Sequence, residues 1–88
     1  MRYLKWNLGY LPAQSAVVVT LQGVESDVFL VDNSNLAAFE RGGSFRYSGG
    51  HYRRSPARIG VPSAGTWNVV VVPSAGRVTA SVSVLPAA

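Results

Sequence analysis

Residues Pro62–Leu85 read PSAGTWNVVVVPSAGRVTASVSVL, and their reading decides the fold class. The tetrapeptide Pro-Ser-Ala-Gly occurs twice, at Pro62–Gly65 and again at Pro73–Gly76. After the second copy the chain alternates strictly. Val78, Ala80, Val82 and Val84 fall on one side and Arg77, Thr79, Ser81 and Ser83 on the other, the period of a half-buried strand. After the first copy, Val69–Val72 shows no alternation, which predicts an interior strand covered on both faces, with Trp67 its bulkiest core residue. The two tetrapeptides predict successive hairpin loops, each closing on a glycine at a left-handed position, so that consecutive strands lie as antiparallel neighbours. Two copies do not make a solenoid, which needs at least about three units.

Immediately upstream, Gly42–Pro62 (GGSFRYSGGHYRRSPARIGVP) holds the only histidine and, with Arg41 at its edge, five of the eight basic residues, with no acid among them. Ser48-Gly49-Gly50-His51 predicts a two-residue hairpin, because Gly-Gly can take the positive φ that type I′ and II′ turns demand. That register sets Tyr47 opposite Tyr52 and Arg46 opposite Arg53. One side of the ribbon then carries Phe45, Tyr47 and Tyr52, and the other Arg46, His51 and Arg53. Two facing arginines repel, so an anion or a carboxylate is expected between them. Beyond Pro56 the apolar residues change phase to Ala57, Ile59 and Val61. A proline with a one-residue slip predicts a bulged, bent strand.

Toward the N-terminus, Arg2–Leu8 alternates, with Leu4, Trp6 and Leu8 on one side and Tyr3, Lys5 and Asn7 on the other, until Gly9 and Pro12 stop it. Ala16–Leu21 is β-branched and nearly continuous, as in a central strand covered on both sides, and Asp27–Val31 makes a third strand. Asp32-Asn33-Ser34-Asn35 can cap a helix of at most two turns that begins near Leu36. Gly42 is the C′ residue, and Leu36 and Phe39 face the sheet. The helix is expected to be a lid on one end and not a third layer. The whole of residues 1–88 therefore reads as a single all-β domain, a compact antiparallel β-sandwich or barrel of about seven strands with one short helix.

Eighty-eight residues support one core with little spare stability, since a chain of this size buries only about 60–65% of its unfolded surface. The formal charge is +4, yet only 14% of residues are charged, so the excess reflects few acids and gives a weak nucleic-acid signature. With no cysteine, neither a disulfide framework nor a thiolate zinc site is available. No apolar run approaches the ~20 residues of a membrane span, and MRYLKWNLGYLPAQ lacks a signal-peptide core, so a cytoplasmic setting without membrane contact is expected.

Several of these elements together resemble a small bacterial all-β family of unknown function, found alone or fused to TIR domains. They are the N-terminal strand ending in Leu8-Gly9, the Asp32–Asn35 turn with a nearby aromatic, Arg41-Gly42, Tyr47-Ser48-Gly49-Gly50, Arg54-Ser55-Pro56, and Val61-Pro62 followed by Gly65-Thr66-Trp67-Asn68-Val69. The resemblance covers nearly the whole chain. It implies a β-sandwich in a bacterial, intracellular setting and brings no catalytic residues with it.

The residues themselves hold little chemistry of catalysis. His51 has no cysteine partner, and no Gly-x-Ser-x-Gly, Walker or dinucleotide glycine pattern occurs. Glu25 and Asp27, spaced i and i+2, fall on one side of a strand, where they are expected to be solvated. Asp32–Asn35 offers oxygen ligands but one carboxylate, so capping explains it better than calcium. No enzyme activity, metal or cofactor is expected. Arg46, His51, Arg53, Arg54 and Arg58, with Tyr47 and Tyr52 interleaved, form the expected contact surface. Guanidinium forks bind phosphate or carboxylate, and flanking rings stack on a base or sugar, but arginine and tyrosine also suit protein interfaces. The leading expectation is a non-catalytic module that binds protein or itself as a homo-oligomer. The alternative is an anion-binding module for a phosphorylated ligand, nucleic acid or acidic glycan.

Overall fold

A computed structural model describes residues 3–86, which form two facing antiparallel sheets and one helix. In chain order the elements are β1 (Leu4–Leu11), β2 (Ala16–Gly23), β3 (Ser26–Asp32), α1 (Asn33–Glu40), β4 (Ser48–Tyr52), β5 (Ala57–Gly60), β6 (Gly65–Pro73) and β7 (Val78–Leu85). One sheet has the order β1-β6-β3-β4 and the other β5-β2-β7. The all-β sandwich expected from the alternating valines is the fold.

The core between the sheets is built by period-two alternation. Val28 and Leu30 of β3, Trp67, Val69 and Val71 of β6, Val17 and Val19 of β2, and Ala57 and Ile59 of β5 are buried there, with Trp6 and Leu8 of β1 packed against them. Val78, Ala80 and Val82 of β7 join from the edge as expected, whereas Val84 is left exposed. In β2 the expectation of cover on both sides fails. The strand is central in its sheet, but only Val17 and Val19 are fully buried, because among the described residues no helix or strand covers the outer face of the three-stranded sheet. The alternation there was masked by valine at Val18, which is half-buried.

Strand β6 is covered on both faces, as its uninterrupted valines require. Val69 and Val71 meet the other sheet, while Val70 points outward into a second cluster with Val31 and Phe39, flanked by Tyr3, Phe29, Leu36, Phe45 and Val72. Helix α1 supplies Phe39 and Leu36 to this cluster, so it lies on the outer face of the four-stranded sheet. It is a partial third layer, which corrects the expectation of an end lid. Two outward strand residues, Val31 and Val70, are too apolar to face water, and burying Phe39 over them contributes roughly 1.5–3 kcal/mol. Asp32 caps the N-terminus, its side chain accepting from the Asn35 N–H at 2.8 Å. At the other end Gly42 N–H bonds to the Phe39 carbonyl and Gly43 N–H to the Ala38 carbonyl, a Schellman closure that uses Gly42 at φ +77°.

Four segments differ from expectation. Ser48-Gly49-Gly50-His51 is not a hairpin: these residues lie inside β4, which pairs antiparallel with β3 from Leu30↔Ser48 to Ser26↔Tyr52. A local ribbon would have left Phe45 and Tyr47 on one exposed face and set Arg46 against Arg53. Docking β4 on β3 instead lets both rings pack on Phe29. The segment across Pro56 is not one bent strand either. β4 belongs to the four-stranded sheet and β5 to the other, so the phase change at Ala57 marks a switch of sheet. The Ser55–Pro56 bond there is cis, and Ser55 Oγ accepts from the Leu21 N–H at 2.8 Å.

Finally, the two Pro-Ser-Ala-Gly segments are crossovers between sheets and not hairpins. β5 pairs with β2, β6 lies between β1 and β3, and β7 pairs with β2. Gly76 takes the expected left-handed φ of +62°, but Gly65 begins β6. Strands flanking such a loop must present apolar residues to one core, and they can do so from opposite sheets as well as from adjacent positions in one.

Candidate functional site

On β3 the outward residues are Asp27, Phe29 and Val31, the inward neighbours Ser26, Val28 and Leu30 being fully buried. Register then decides what meets them. β4 sets His51 beside Asp27 and Gly49 beside Phe29, while β6 sets Val72 and Val70 on the other flank. His51 Nδ1 lies 2.8 Å from Asp27 Oδ1 and Nε2 lies 3.3 Å from Glu25 Oε1; Glu25 Oε2 is also 3.6 Å from Arg53 Nε. The hydrogen bond to Asp27, and then that to Glu25, favours the imidazolium and raises the His51 pKa above its ordinary 6.5.

Next to this charged row is a cluster of rings. Phe29 and Tyr47 have centroids 4.5 Å apart, Phe29 and Phe45 5.4 Å, Phe39 and Phe45 5.2 Å, and Tyr3 and Phe39 5.1 Å in an edge-on contact. Gly49, opposite Phe29, carries no side chain, and the Tyr47 ring lies against Phe29 while remaining 51% exposed. The loop that brings these rings in is tied to the helix by the Arg46 N–H, which donates to Asn35 Oδ1 at 2.7 Å. At the far margin Tyr3 Oη and Lys5 Nζ both donate to Glu40 Oε2, at 2.7 and 2.8 Å. Lys5, followed by Tyr3, holds the Glu40 carboxyl below its usual range.

The residues expected to form one contact surface are divided among several places. Arg46 and Tyr47 precede β4 beside the helix, His51 points outward on β4, and Tyr52 packs against the core between the sheets. Arg53 and Arg54 lie in the crossover, and Arg58 is exposed on β5, between the buried Ala57 and Ile59, on the outer side of the other sheet. Arg46 and Arg53 do not face one another. The carboxylate expected between them is therefore not found there; Arg53 alone lies near one, Glu25. Among the described residues, Arg46, Arg54 and Arg58 have no carboxylate within ion-pair distance, and no group of three or more His, Asp or Glu could hold a metal ion.

A second surface lies on the opposite flank. β4 and β5 close one side of the sandwich by contact, whereas on the other side β1 and β7 are the two sheet edges. Between their first residues is a groove of about 440 Å³ lined by Tyr3, Leu4, Pro73, Arg77, Val78 and Thr79. Leu4 is 38% exposed, Val84 37% and Leu85 41%, so this flank carries three of the large apolar side chains that the fold leaves in water.

The full sequence matches the model of the family described as Domain of unknown function (DUF1883), over residues 1–88. The chain belongs to the DUF1883 family. No curated protein and no solved structure matches it.

In this DUF1883 domain the open flank was missed by sequence reasoning, which followed charge. The signal was present in VTASVSVL, a strand of eight residues with no charge and no proline. The other edges are blunted in ways natural sheets use. β1 carries Lys5 and a register shift between Asn7 and Gly9, β4 has five residues including Gly49 and Gly50, and β5 has four including Arg58.

Proposed function

We propose that this DUF1883 domain is a non-catalytic interaction module that binds protein, either a neighbouring domain or a copy of itself, through its open β1/β7 flank. The observation that carries this reading is the uncharged β7 edge beside a groove in which Leu4, Pro73 and Val78 lie next to Arg77 and Thr79. An unpaired strand presents a row of N–H and C=O groups that another strand can satisfy, and exposed Leu4, Val84 and Leu85 lie alongside it. The non-catalytic part rests on the sequence inventory and on His51, whose two ring nitrogens are both engaged by carboxylates.

The anion-binding alternative has less support. Its basic residues lie on different faces, and His51 and Arg53 already have Glu25 or Asp27 as partners. The resemblance to bacterial proteins that carry TIR domains makes a TIR domain the first protein partner to try and the bacterial cytoplasm the expected setting. No helix of the described residues is long and apolar enough to cross a membrane.

Light scattering coupled to size exclusion tests the reading. The chain is run alone at rising concentration and then mixed with a TIR domain taken from a family member that carries one. A mass above the monomer is expected in at least one arm. A strict monomer in both, at millimolar chain, removes the proposal.

A further inference from the structure

Resting on the interaction reading above, we propose that the β7 edge pairs with β7 of a second copy. The two strands run antiparallel about a two-fold axis through Ser81, so that two three-stranded sheets join into one of six.

Three observations converge on this occupant. First, β7 pairs with β2 over its full length, from Val78↔Gly23 to Leu85↔Ala16, with no register shift, so its free side is a regular backbone ladder. Such an edge is complemented by another extended strand. Second, the strand is compatible with itself. An antiparallel partner places side chains of the same face opposite one another, so an axis passing through a residue keeps the core-facing set of both copies on one side. An axis at Ser81 sets Val78 against the partner's Val84, Thr79 against the partner's Ser83, and Ala80 against the partner's Val82. The exposed Val84 gains an apolar neighbour, and the outer face acquires Thr and Ser pairs, which are favourable across strands. Shifting the axis to Val82 would bring Val78 opposite the partner's Pro86, which has no N–H to give.

Third, no charge has to be buried in the seam. The chain carries +4, yet none of it lies on β7, and Arg77 at its margin falls opposite the partner's Leu85. Eight residues give a contact line of about 27 Å. An edge contact of that length is at the small end of specific interfaces, below about 1,200 Å², so the dimer is a weak one whose population rises with concentration.

The experiment uses the absence of cysteine in the chain. In Ser81→Cys each copy has one thiol, and the axis puts the two within the Cα separations of paired antiparallel residues, about 4.5–5.5 Å, which a disulfide spans. Under mild oxidation Ser81→Cys is expected to form a covalent dimer at least tenfold faster than Ala75→Cys, whose thiol is in an exposed loop. Sedimentation equilibrium of the wild type should give a monomer–dimer equilibrium that Ser81→Lys weakens at least tenfold, with the circular dichroism melt of the variant unchanged. Thr79→Lys serves if Ser81→Lys does not fold.

Equal oxidation rates, or a dimer indifferent to the lysine, overturns this inference. A wild-type chain that stays monomeric yet binds a TIR domain overturns it too, while leaving the broader interaction reading standing.

Discussion

Replacing Gly49 by alanine tests whether β4 lies where the register puts it. Gly49 has φ +111°, a backbone region that L side chains rarely adopt. An added Cβ would overlap the Val28 carbonyl oxygen and come 3.1 Å from Ile59 Cδ1. The first obstacle is backbone in the adjoining strand and cannot turn away. Strain at such a φ costs about 1–3 kcal/mol, and forcing atoms into a filled site costs about 1–3 kcal/mol more. The sum, roughly 2–6 kcal/mol, is a large share of the ~4–13 kcal/mol that a domain of this length has in total. Urea denaturation followed by tryptophan fluorescence should show a lower midpoint at unchanged slope. The melting temperature should fall by roughly 10–45 °C. Gly60→Ala is the control, since Gly60 has no unusual φ and nothing within 4 Å of its would-be Cβ. Its effect should stay within about 0.5 kcal/mol. If Gly49→Ala is as mild as Gly60→Ala, then the close approach of β4 to Val28 is wrong, and a hairpin at Gly49-Gly50 is again open.

Two further outcomes are expected. Asp32→Ala removes the acceptor for the Asn35 N–H and should cost about 0.5–2 kcal/mol in a denaturant titration. Because that N–H, followed in effect by the Asn35 and Ser34 side chains, holds the Asp32 pKa below its ordinary 3.8, the contribution is present above that value. It is lost as pH falls through the lower folded value, and Asp32→Ala should lack that acid-side loss. His51 has the opposite sign. Its folded pKa is raised, so its contribution is complete below 6.5 and is lost as pH rises through the folded pKa. An NMR titration of the imidazole should find a value above 6.5 that drops in Asp27→Asn, and an unshifted value in the wild type would contradict the pairing.

The fold was legible wherever one residue's side of a strand could be inferred from its neighbours. Val78, Ala80 and Val82, the doubly covered β6 and the Asp32 cap all follow from local pattern. The pairing partners of the strands did not follow, because Pro-Ser-Ala-Gly is compatible both with a hairpin and with a crossover, and only the shared core selects between them. Gly49-Gly50 misled for a related reason. Glycine permits a turn, but it also permits the close approach to Val28, and the decisive contact is with a strand some twenty positions earlier. The contact surface suffered in turn. Arg46, Arg53 and Arg58 are near in sequence, yet a change of sheet lies between Arg53 and Arg58. The open flank was hidden because its marks are missing charges, which draw less notice than an arginine run.

The pairing of the first strand with the sixth has a consequence for synthesis. Leu4–Leu11 leaves the ribosome before the other strands, but among the described residues its pairing partner is Gly65–Pro73, which is made much later. Ala16–Gly23 waits for both Ala57–Gly60 and Val78–Leu85. The nascent polypeptide must therefore hold its uncharged VVV segment with one side unpaired until Val78–Leu85 has been made, and a product that ends before Val78 leaves that side naked.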